Sequence, residues 1–367
     1  MKIRRVEIIP CVMPKEDKNW RFALAATSET GGWIVRITSD NGQEGYGYAS
    51  AVPHMGAGYG GVREALNTFI PLLVGCDPFA IDARLLELDR ALHDNNQAKA
   101  GIDCALHDLK ARSLGIPVYE LLGGKFCDVI PQLRILPIKT PTEMAVGAQK
   151  LVDQGYRYLK VKVHGNVAED VERIRAIRQQ VGPNIHLTID ANQSYDPKSA
   201  IQAIRRMQEF DIDLVEQPVA IDDFKGLELV TRSVETIIEA DESARSLDHV
   251  MRLASNRVVD AISLKISKLG GLRRARTAAD ICLTAGVKFR VGATVGPRLL
   301  AAACLHFAVA TPGIWYACEL AEFDRLLEDP SEGLEVINGE MRVSDSPGLG
   351  IRLRERDQRK SASKGER

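Results

Sequence analysis

Five charged residues interrupt apolar runs at similar intervals in the second half of the chain. They are Lys162, Asp190, Glu216, Asp241 and Lys265, separated by 28, 26, 25 and 24 residues. Each interval has the length of one strand–loop–helix–loop unit, so each residue is expected at the equivalent point of a successive strand. We therefore expect the five charges to converge on one cavity.

The three acids of this series form a set of hard oxygen ligands. Asp190, Glu216 and Asp241 are predicted to bind Mg²⁺, which takes few protein carboxylates and leaves positions for water and substrate. Mn²⁺ could take its place. Asn192 and Glu242 are predicted to contact these ligands. Any one acid could be an ordinary strand-end or helix-capping residue, so the prediction depends on the three together.

The two lysines are predicted to perform acid/base chemistry. Lys162 and Lys265 come from the second and sixth strands and should flank the metal. A lysine acts as a base only when its pKa is lowered, which a cationic neighbour and burial both achieve. Lys160, on the same strand face as Lys162, supplies such a neighbour and is also a candidate substrate contact. Two alternatives remain: charge neutralisation of the acids, and a Schiff-base lysine, which would not need three metal ligands.

These residues require a framework of alternating strands and helices. Eight short apolar runs alternate with amphipathic stretches, at residues 132–136, 158–163, 185–190, 214–216, 237–241, 261–266, 287–291 and 314–318. This alternation predicts a closed parallel barrel of the α/β class. An open doubly wound sheet is the alternative fold, but no run is followed by the GxGxxG pattern of such sheets.

The part before the barrel has a different pattern. Residues 33–39 and 44–48 flank Asp40-Asn41-Gly42 and predict a hairpin, and residues 62–74 and 98–113 predict helices. We expect an α+β domain over residues 1–125, the barrel over 126–320, a segment over 321–353 that packs back on the first domain, and a charged, solvated tail over 354–367.

The motif set resembles the enolase superfamily. The matching segments are Lys160-Val-Lys162, Asp190-Ala-Asn192, Glu216-Gln-Pro218, Ala240-Asp-Glu-Ser243, Leu264-Lys-Ile-Ser-Lys-Leu-Gly-Gly271, the helix Ala98–Leu109 and Leu121-Leu-Gly-Gly124. Within the superfamily they are most similar to the muconate lactonizing enzyme subgroup of the mandelate racemase/muconate lactonizing enzyme family. The mandelate racemase branch would carry a His in the seventh strand, and residues 288–294 have none. The resemblance extends from Met1 to about Leu353.

The resemblance implies an α+β N-terminal capping domain over a (β/α)7β TIM-like barrel, and a homo-oligomer. It implies Asp190, Glu216 and Asp241 as metal ligands, with Lys162 and Lys265 on opposite faces of the substrate. One lysine removes a proton beside a substrate carboxylate, and Mg²⁺ stabilises the resulting enediolate. The pairing of a basic residue with Mg²⁺ is general to this superfamily. It accounts equally for racemisation, epimerisation, elimination and cycloisomerisation.

The eighth run bears on which of these reactions occurs. Cys318-Glu319-Leu320-Ala-Glu322-Phe-Asp324 loosely resembles the Thr-Glu-Leu-Phe-Gly-Pro segment of muconate cycloisomerases, and Glu319 is a predicted substrate contact. The Asp-x-Asp with which dipeptide epimerases hold a substrate amine is missing. These features favour a cycloisomerase-like enzyme acting on a small carboxylic acid. The alternatives are an amino-acid or dipeptide racemase or epimerase, a hydroxy-acid or hydroxyproline dehydratase and, in another class, a catalytically silent barrel that binds a small acid.

Two loops are candidates for substrate contact, residues 15–32 and the glycine-rich residues 50–61. The second loop carries His54, and His164 follows Lys162; both histidines could contact substrate or be surface residues.

Composition excludes several other classes. Lys and Arg total 48 against 49 Asp and Glu, giving a net charge of -1 without the positive charge that nucleic acids or anionic membranes attract. We find no apolar run of about 20 residues and no signal-peptide pattern at the N-terminus. Seven cysteines without a CxxC pattern indicate reduced thiols rather than zinc or disulfides, and hence a cytoplasmic location.

Overall fold

The computed structural model describes residues 1–354, and the predicted tail beyond Arg354 lies outside them. The first part of the chain forms an α+β cap. Its strands are β1 (Ile3–Pro14), β2 (Arg21–Phe22), β3 (Ala25–Ala26), β4 (Glu29–Ser39) and β5 (Glu44–Ser50), and its helices are α1 (Tyr59–Leu73), α2 (Ile81–Ala91), α3 (Asn96–Leu114) and α4 (Val118–Leu121). Strands β1, β4 and β5 form an antiparallel sheet that includes the predicted hairpin. Helix α1 begins at Tyr59, so the predicted loop over 50–61 ends three residues early.

Helix α3 packs directly on β5 because two strand residues lack side chains. A Cβ atom on Gly47 would lie 2.0 Å from the carbonyl oxygen of Gly101, and one on Gly45 would lie 2.3 Å from that of Ala105. Only glycine permits this approach of helix and strand backbones. The contact fixes α3, which in turn reaches the barrel loops.

The barrel begins with a short strand and continues with parallel strands and helices. The strands are β6 (Val129–Pro131), β7 (Leu133–Leu136), β8 (Tyr158–Lys162), β9 (His186–Asp190), β10 (Leu214–Glu216), β11 (Ile237–Ala240), β12 (Ala261–Leu264) and β13 (Lys288–Val291), and the helices are α5 (Pro141–Asp153), α6 (Val167–Val181), α7 (Pro197–Met207), α8 (Phe224–Ser233), α9 (Leu247–Ser255), α10 (Ile266–Leu269), α11 (Leu272–Ala285) and α12 (Arg298–Val309). Strands β7 to β13 form one parallel sheet in chain order. The barrel prediction is confirmed, and the open doubly wound alternative is not.

The eighth run is not a regular strand. Residues 314–319 form isolated parallel bridges instead, from Ile314 to Phe289 and from Cys318 to Gln132. The amide of Glu319 donates to the carbonyl of Val291 at 3.0 Å, and that of Leu133 donates to Cys318 at 2.9 Å. The segment therefore joins both edges of the seven-stranded sheet and closes the barrel without a continuous ladder.

The register of the strands corrects one expectation. Lys162, Asp190 and Glu216 are direct partners across β8, β9 and β10. The partner of Glu216 on β11 is Glu239, however, and Asp241 lies two residues further along the chain. The five charges therefore do not occupy equivalent points, because equal sequence intervals do not fix the register between strands.

The segment after the barrel contacts both parts of the molecule. It contains β14 (Ser331–Glu332), β15 (Glu340–Arg342) and β16 (Arg352–Leu353), with β15 paired to β6 and β14 to β16. Gly348 bridges to Pro117 of the cap. None of the helices within residues 1–354 has both the length and the apolar character needed to cross a membrane.

Candidate active site

Three buried carboxylates line the carboxyl ends of neighbouring strands. Asp190 and Glu216 end β9 and β10, and Asp241 directly follows β11. None is more than 4% exposed. Burial, followed by the charge of Asp190, raises the pKa of Glu216 well above its usual value, and Asp241 adds to the effect. Three acids held this close in a buried site favour a cation among them.

Lys162 pairs with the first acid of the row. Its Nζ donates to Asp190 Oδ2 at 2.6 Å and to Asn192 Oδ1 at 2.9 Å. Although burial acts in the opposite direction, the charges of Lys162 and Lys160 lower the pKa of Asp190. The first predicted lysine therefore lies at one end of the carboxylate row.

Lys265 pairs with the last acid of the row. Its Nζ donates to Asp241 Oδ2 at 2.6 Å. The predicted lowering of a lysine pKa depends on cationic neighbours, a bound metal ion among them, and stays a prediction. Burial lowers the pKa of Lys265, but the carboxylates of Asp241 and Glu319 outweigh it and raise the value. The physical reason is that Asp241 directs its charge at the ammonium.

Lys160 lies beneath the row and not on the cleft surface. It is fully buried, with Nζ 2.7 Å from Glu216 Oε2 and 3.1 Å from Asp190 Oδ2. It also bonds to Glu319, the other residue predicted to contact substrate. One ammonium thus serves three carboxylates, and these raise the pKa of Lys160 well above its usual value against the effect of burial.

Three charged residues that the sequence analysis did not assign complete this network. Arg290, fully buried on β13, donates to Glu216 Oε2 at 2.5 Å and to Glu239 Oε2 at 2.7 Å. Lys268 donates to the carboxylate Oδ1 and the backbone oxygen of Asp241, both at 2.5 Å. The sequence signal that could have identified Arg290 is its charge inside an apolar run, Lys288-Phe-Arg-Val291.

Of the two residues predicted to contact the ligands, Asn192 does so directly, since its backbone amide donates to Asp190 Oδ1 at 2.9 Å. Asn192 accepts from Lys162 and donates Nδ2 to Glu242 Oε1 at 3.1 Å. Burial and the charges of Asp241 and Asp190 raise the pKa of Glu242. Its Oε2 is buried without a hydrogen-bond partner among residues 1–354.

Backbone strain is concentrated beside these acids. Asn192, Gln193 and Gln217 have φ values of 41°, 70° and 40°, a region that side-chain-bearing residues seldom adopt. The strain directs Gln217 Oε1 to accept from the backbone amides of Asp241, at 3.1 Å, and Ser243, at 3.0 Å. The loop that carries the third acid is therefore fixed by a side chain from the neighbouring strand.

Both candidate substrate loops lie over the lysines. The ring centroid of Phe22, from the β2–β3 hairpin, is 5.8 Å from Lys162 Nζ. The ring of His54, in a short 3₁₀ turn, is 5.2 Å from that of Phe22. Burial, aided by the charge of Lys265, lowers the pKa of His54 to about 4. These two rings form an uncharged roof. His164 instead pairs with Glu169 at 3.0 Å.

The donor set fits a divalent cation in its chemistry but is not assembled around one. No group of three or more His, Cys, Asp or Glu side chains in the described part of the chain is arranged to hold a metal ion. The reason is local, because Lys160, Lys162, Lys265 and Lys268 occupy the carboxylate oxygens. The donors themselves are all carboxylates from adjacent strands, as Mg²⁺ prefers. Asp190 and Glu216 share the ammonium of Lys160, which indicates that these two could share a cation, whereas Asp241 pairs with Lys265 and Lys268.

A separate cleft runs along the seam between cap and barrel. It has a volume of about 880 Å³ and is lined by Asn96, Lys99, Arg245 and Arg274 among others. Of the charge network above, it includes Lys268 alone. The cleft is therefore beside the candidate site and not part of it.

Comparison with known families covers most of the chain. Residues 8–123 match the N-terminal domain family of mandelate racemase and muconate lactonizing enzyme. Residues 143–357 match the family described as enolase C-terminal domain-like. The two matches correspond to the cap and to the barrel.

Individual relatives are similar over most of their length. An L-Ala-D/L-Glu epimerase from Bacillus subtilis is 34% identical, over 96% of this chain and 97% of that protein. A chloromuconate cycloisomerase from Cupriavidus necator is also 34% identical, but over 78% of each chain. The solved structure of a dipeptide epimerase from Enterococcus faecalis, complexed with Mg and the dipeptide L-Leu-L-Tyr, is 32% identical with a TM-score of 0.92, over 96% of this chain and 99% of that one. Dipeptide epimerases are frequent among the similar proteins, which favours the epimerase alternative over the cycloisomerase interpretation.

Proposed function

Because the chain belongs to the mandelate racemase/muconate lactonizing enzyme family of the enolase superfamily, we propose that it is a divalent-metal-dependent racemase or epimerase. Its substrate is an amino-acid derivative, such as a dipeptide or another N-acylated amino acid. The enzyme removes the proton on the carbon beside the carboxylate and returns it to either face.

One observation carries this proposal. Two lysines lie at opposite ends of a single carboxylate row, with Lys162 Nζ 2.6 Å from Asp190 and Lys265 Nζ 2.6 Å from Asp241. A base on each side of a carbon is what two-way proton transfer requires. A reaction that uses one face would need only one of them.

Asp190, Glu216 and Asp241 are the residues that would hold the metal, and Mg²⁺ suits them, with Mn²⁺ as a substitute. When bound, the cation would stabilise the negative charge that develops on the substrate carboxylate. The remaining work belongs to the protein. Lys160 and Arg290 fix Glu216 from below, so that this carboxylate needs little reorganisation.

The proton transfers are assigned to the two lysines. The neutral amine of one takes the proton from one face, and the ammonium of the other donates a proton to the opposite face. Either lysine can become a neutral amine once its carboxylate partner, Asp190 or Asp241, no longer pairs with the ammonium. The roof of Phe22 and His54 limits water at the reacting carbon, which strengthens these electrostatic effects.

The experiment is solvent exchange in D₂O. A panel of dipeptides and N-acylated amino acids is incubated with Mg²⁺, and the α-proton signal is followed by NMR. We expect deuterium at the α-carbon and a racemised product from either enantiomer. Lys162→Ala should stop exchange from one enantiomer and Lys265→Ala from the other.

Excess EDTA and Glu216→Gln should each abolish the exchange, and Lys225→Ala, at an exposed position of α8, serves as the matched lysine control. Exchange that persists in EDTA, or that continues from both enantiomers in either lysine variant, would contradict the proposal. A silent barrel would exchange no compound of the panel.

Cycloisomerisation is the second candidate. The observation that favours it is the pair Glu319-Leu320 beside Lys160, which resembles the corresponding segment of muconate cycloisomerases. The panel therefore includes cis,cis-muconate, whose conversion to a lactone is followed by loss of ultraviolet absorbance. Turnover of muconate without α-exchange of any amino-acid derivative would favour this candidate.

A further inference from the structure

Asn96 is the first residue of cap helix α3, and its side chain contacts the barrel. Its Nδ2 donates to the backbone carbonyl of Arg245 at 3.2 Å and to that of Lys268 at 2.9 Å. Its Oδ1 accepts from Arg274 Nη1 at 3.0 Å. The residue is 9% exposed. One amide of the cap therefore joins two barrel loops and the start of helix α11.

These three partners require an amide at this position. A backbone carbonyl only accepts and a guanidinium only donates, so the side chain must donate twice and accept once. A carboxylate of the same size has no hydrogen to donate, and a hydroxyl has only one. The partners also determine which end of the amide carries the nitrogen. Among side chains of this size, asparagine alone satisfies all three.

Both loops that Asn96 contacts carry residues of the candidate site. Arg245 lies four residues after Asp241, the third acid, and Lys268 lies three residues after Lys265 in the turn α10. Lys268 in turn donates its Nζ to Asp241 Oδ1 and to the backbone oxygen of Asp241, both at 2.5 Å. Asn96 therefore links the backbone segment of the third acid to that of the second lysine.

A second residue of α3 holds the same barrel segment. The carboxylate of Asp103 accepts from the backbone amide of Leu272 at 2.5 Å. Between α10 and Leu272 lies Gly271, with a φ of 115°, where a Cβ atom would be 2.4 Å from that of Asp103. Only glycine permits this approach of the helix. The segment that follows Lys265 is thus fixed to the cap at both of its ends.

The opposite lysine is held within the barrel. Lys162 Nζ donates to Asp190 at 2.6 Å and to Asn192 at 2.9 Å, in the strand and loop next to its own. The three hydrogen bonds of Asn96 all end at residues 245–274. Displacement of Asn96 should therefore move one lysine and leave the other in place.

We propose that Asn96 is a positioning residue for Lys265, through which the cap sets the rate of proton transfer on one face of the substrate. The inference rests on the proposed function, because it concerns the two-sided proton transfer of the same site. Asn96 lies in the seam cleft beside the candidate site, so it acts through the backbone of the Lys265 segment and not on the reacting atoms.

The test measures α-proton exchange in D₂O separately for the two enantiomers of one amino-acid derivative. Lys265→Ala first identifies the enantiomer whose proton Lys265 removes. Asn96→Ala should lower kcat for that enantiomer about 10- to 100-fold with little change in KM, because catalysis is sensitive to small misplacements. A shift of Asp241 would slow both enantiomers alike, so the ratio of the two rates reports the position of Lys265.

Asn96→Asp is the second variant. It keeps the size of the side chain and the acceptor for Arg274, but it cannot donate to the two carbonyls. The ratio should change in the same direction as in Asn96→Ala. Asn67→Ala and Asn67→Asp, at an exposed position of cap helix α1, are the matched controls, and their ratio should equal that of the wild type.

An asparagine that only fastens the cap to the barrel would lower the melting temperature and the amount of active enzyme, and both enantiomers would slow by the same factor. A wild-type ratio in Asn96→Ala and Asn96→Asp therefore overturns the inference. Because the ratio does not depend on how much protein is folded, a destabilised variant still decides the question. A wild type that exchanges neither enantiomer of any compound removes the proposed function itself, so the two failures are distinguishable.

Discussion

Gly292 lies against the side chain of Lys265, where space for a methyl group is missing. A Cβ atom there would be 2.9 Å from Lys265 Cε and 3.0 Å from Ser263 Oγ. Gly292→Ala should therefore displace the ammonium by a few tenths of an ångström and lower kcat/KM by about 10- to 100-fold, because catalysis is sensitive to such misplacement. Steady-state exchange kinetics would measure this.

The matched control is Gly147→Ala in α5, where the added methyl would make an ordinary 3.4 Å contact with Leu136. Its activity should equal that of the wild type, and its stability should rise slightly because alanine favours helix. Equal activity in the two variants would show that the position of Lys265 is not constrained by Gly292.

His306 makes stability depend on pH. The backbone amide of Tyr119 donates to His306 Nδ1 at 3.2 Å, and the imidazole is 1% exposed. Burial lowers the pKa of His306 to about 4. The unfolded chain takes up a proton near pH 6.5 that the folded chain refuses until about pH 4, so stability falls as the pH drops through this range, by up to about 3 kcal/mol.

Urea unfolding between pH 7 and pH 4 checks this. His306→Asn keeps an acceptor for the Tyr119 amide but cannot titrate, so its stability should fall less steeply than that of the wild type. His93→Asn, at a side chain 97% exposed, should follow the wild-type curve. Parallel curves for all three proteins would rule out the assigned role of His306.

The sequence predicted the residues of the site better than their partners. Lys162, Asp190, Glu216, Asp241 and Lys265 were found because each interrupts an apolar run at a repeated interval. Arg290 and Glu239 were not assigned, because their significance comes from a hydrogen bond between strands far apart in sequence. Pairing of this kind depends on side-chain direction and strand register, which intervals along the chain do not encode.

At the scale of elements, a carboxylate of helix α3 joins this helix to strand β5 and to the segment after the barrel. The buried carboxylate of Asp108 accepts from the backbone amides of Tyr46, at 2.9 Å, and Leu349, at 2.7 Å, and pairs with Arg112 at 2.8 Å. Asp108→Ala leaves two buried amides without an acceptor, so we expect a loss of about 3–5 kcal/mol in the free energy of unfolding. Chemical denaturation would measure it.

Asp82→Ala provides the comparison, since Asp82 is 77% exposed and pairs with Arg273 on the surface. Its effect should stay within about 0.5 kcal/mol. If the two variants lost equal stability, the docking role of Asp108 would have to be abandoned.

Local patterns predicted most of the elements, and long-range geometry explains the exceptions. The β4–β5 hairpin and strands β7–β13 followed from alternation and turn residues, which act over a few positions. Residues 314–318 were predicted as a strand but join two sheet edges through isolated bridges. The glycine-rich residues 50–61 were predicted as a loop, yet Gly60 and Gly61 lie in the first turn of α1. Val62 and Leu66 of this helix pack in the cap core, and their burial outweighs the weak helix propensity of glycine.

For the whole molecule, the charges buried at the barrel mouth nearly balance. Six carboxylates lie among five cations there, namely Asp190, Glu216, Glu239, Asp241, Glu242 and Glu319 with Lys160, Lys162, Lys265, Lys268 and Arg290. One excess negative charge remains if all are ionised. A divalent cation would convert it to one positive charge, which suits the carboxylate of a substrate.

Mg²⁺ should therefore stabilise the folded protein. At a concentration 100-fold above its dissociation constant, it should add about 2.7 kcal/mol to the free energy of unfolding. Denaturation with Mg²⁺ and with NaCl of equal ionic strength would measure this, and Glu216→Gln should lose most of the difference. An equal gain in the variant would mean that Mg²⁺ acts elsewhere on the protein. The homo-oligomer implied by the family stays a prediction, which light scattering can check.

The central claim is that three carboxylates hold one divalent cation between two lysines. The most direct measurement is anomalous diffraction from a crystal of the protein grown with Mn²⁺. The account predicts one strong peak within about 2.0–2.3 Å of oxygen atoms of Asp190, Glu216 and Asp241, with Lys162 and Lys265 on opposite sides. A fully occupied Mn²⁺ elsewhere, with these carboxylates still bound to lysine ammoniums, would contradict it.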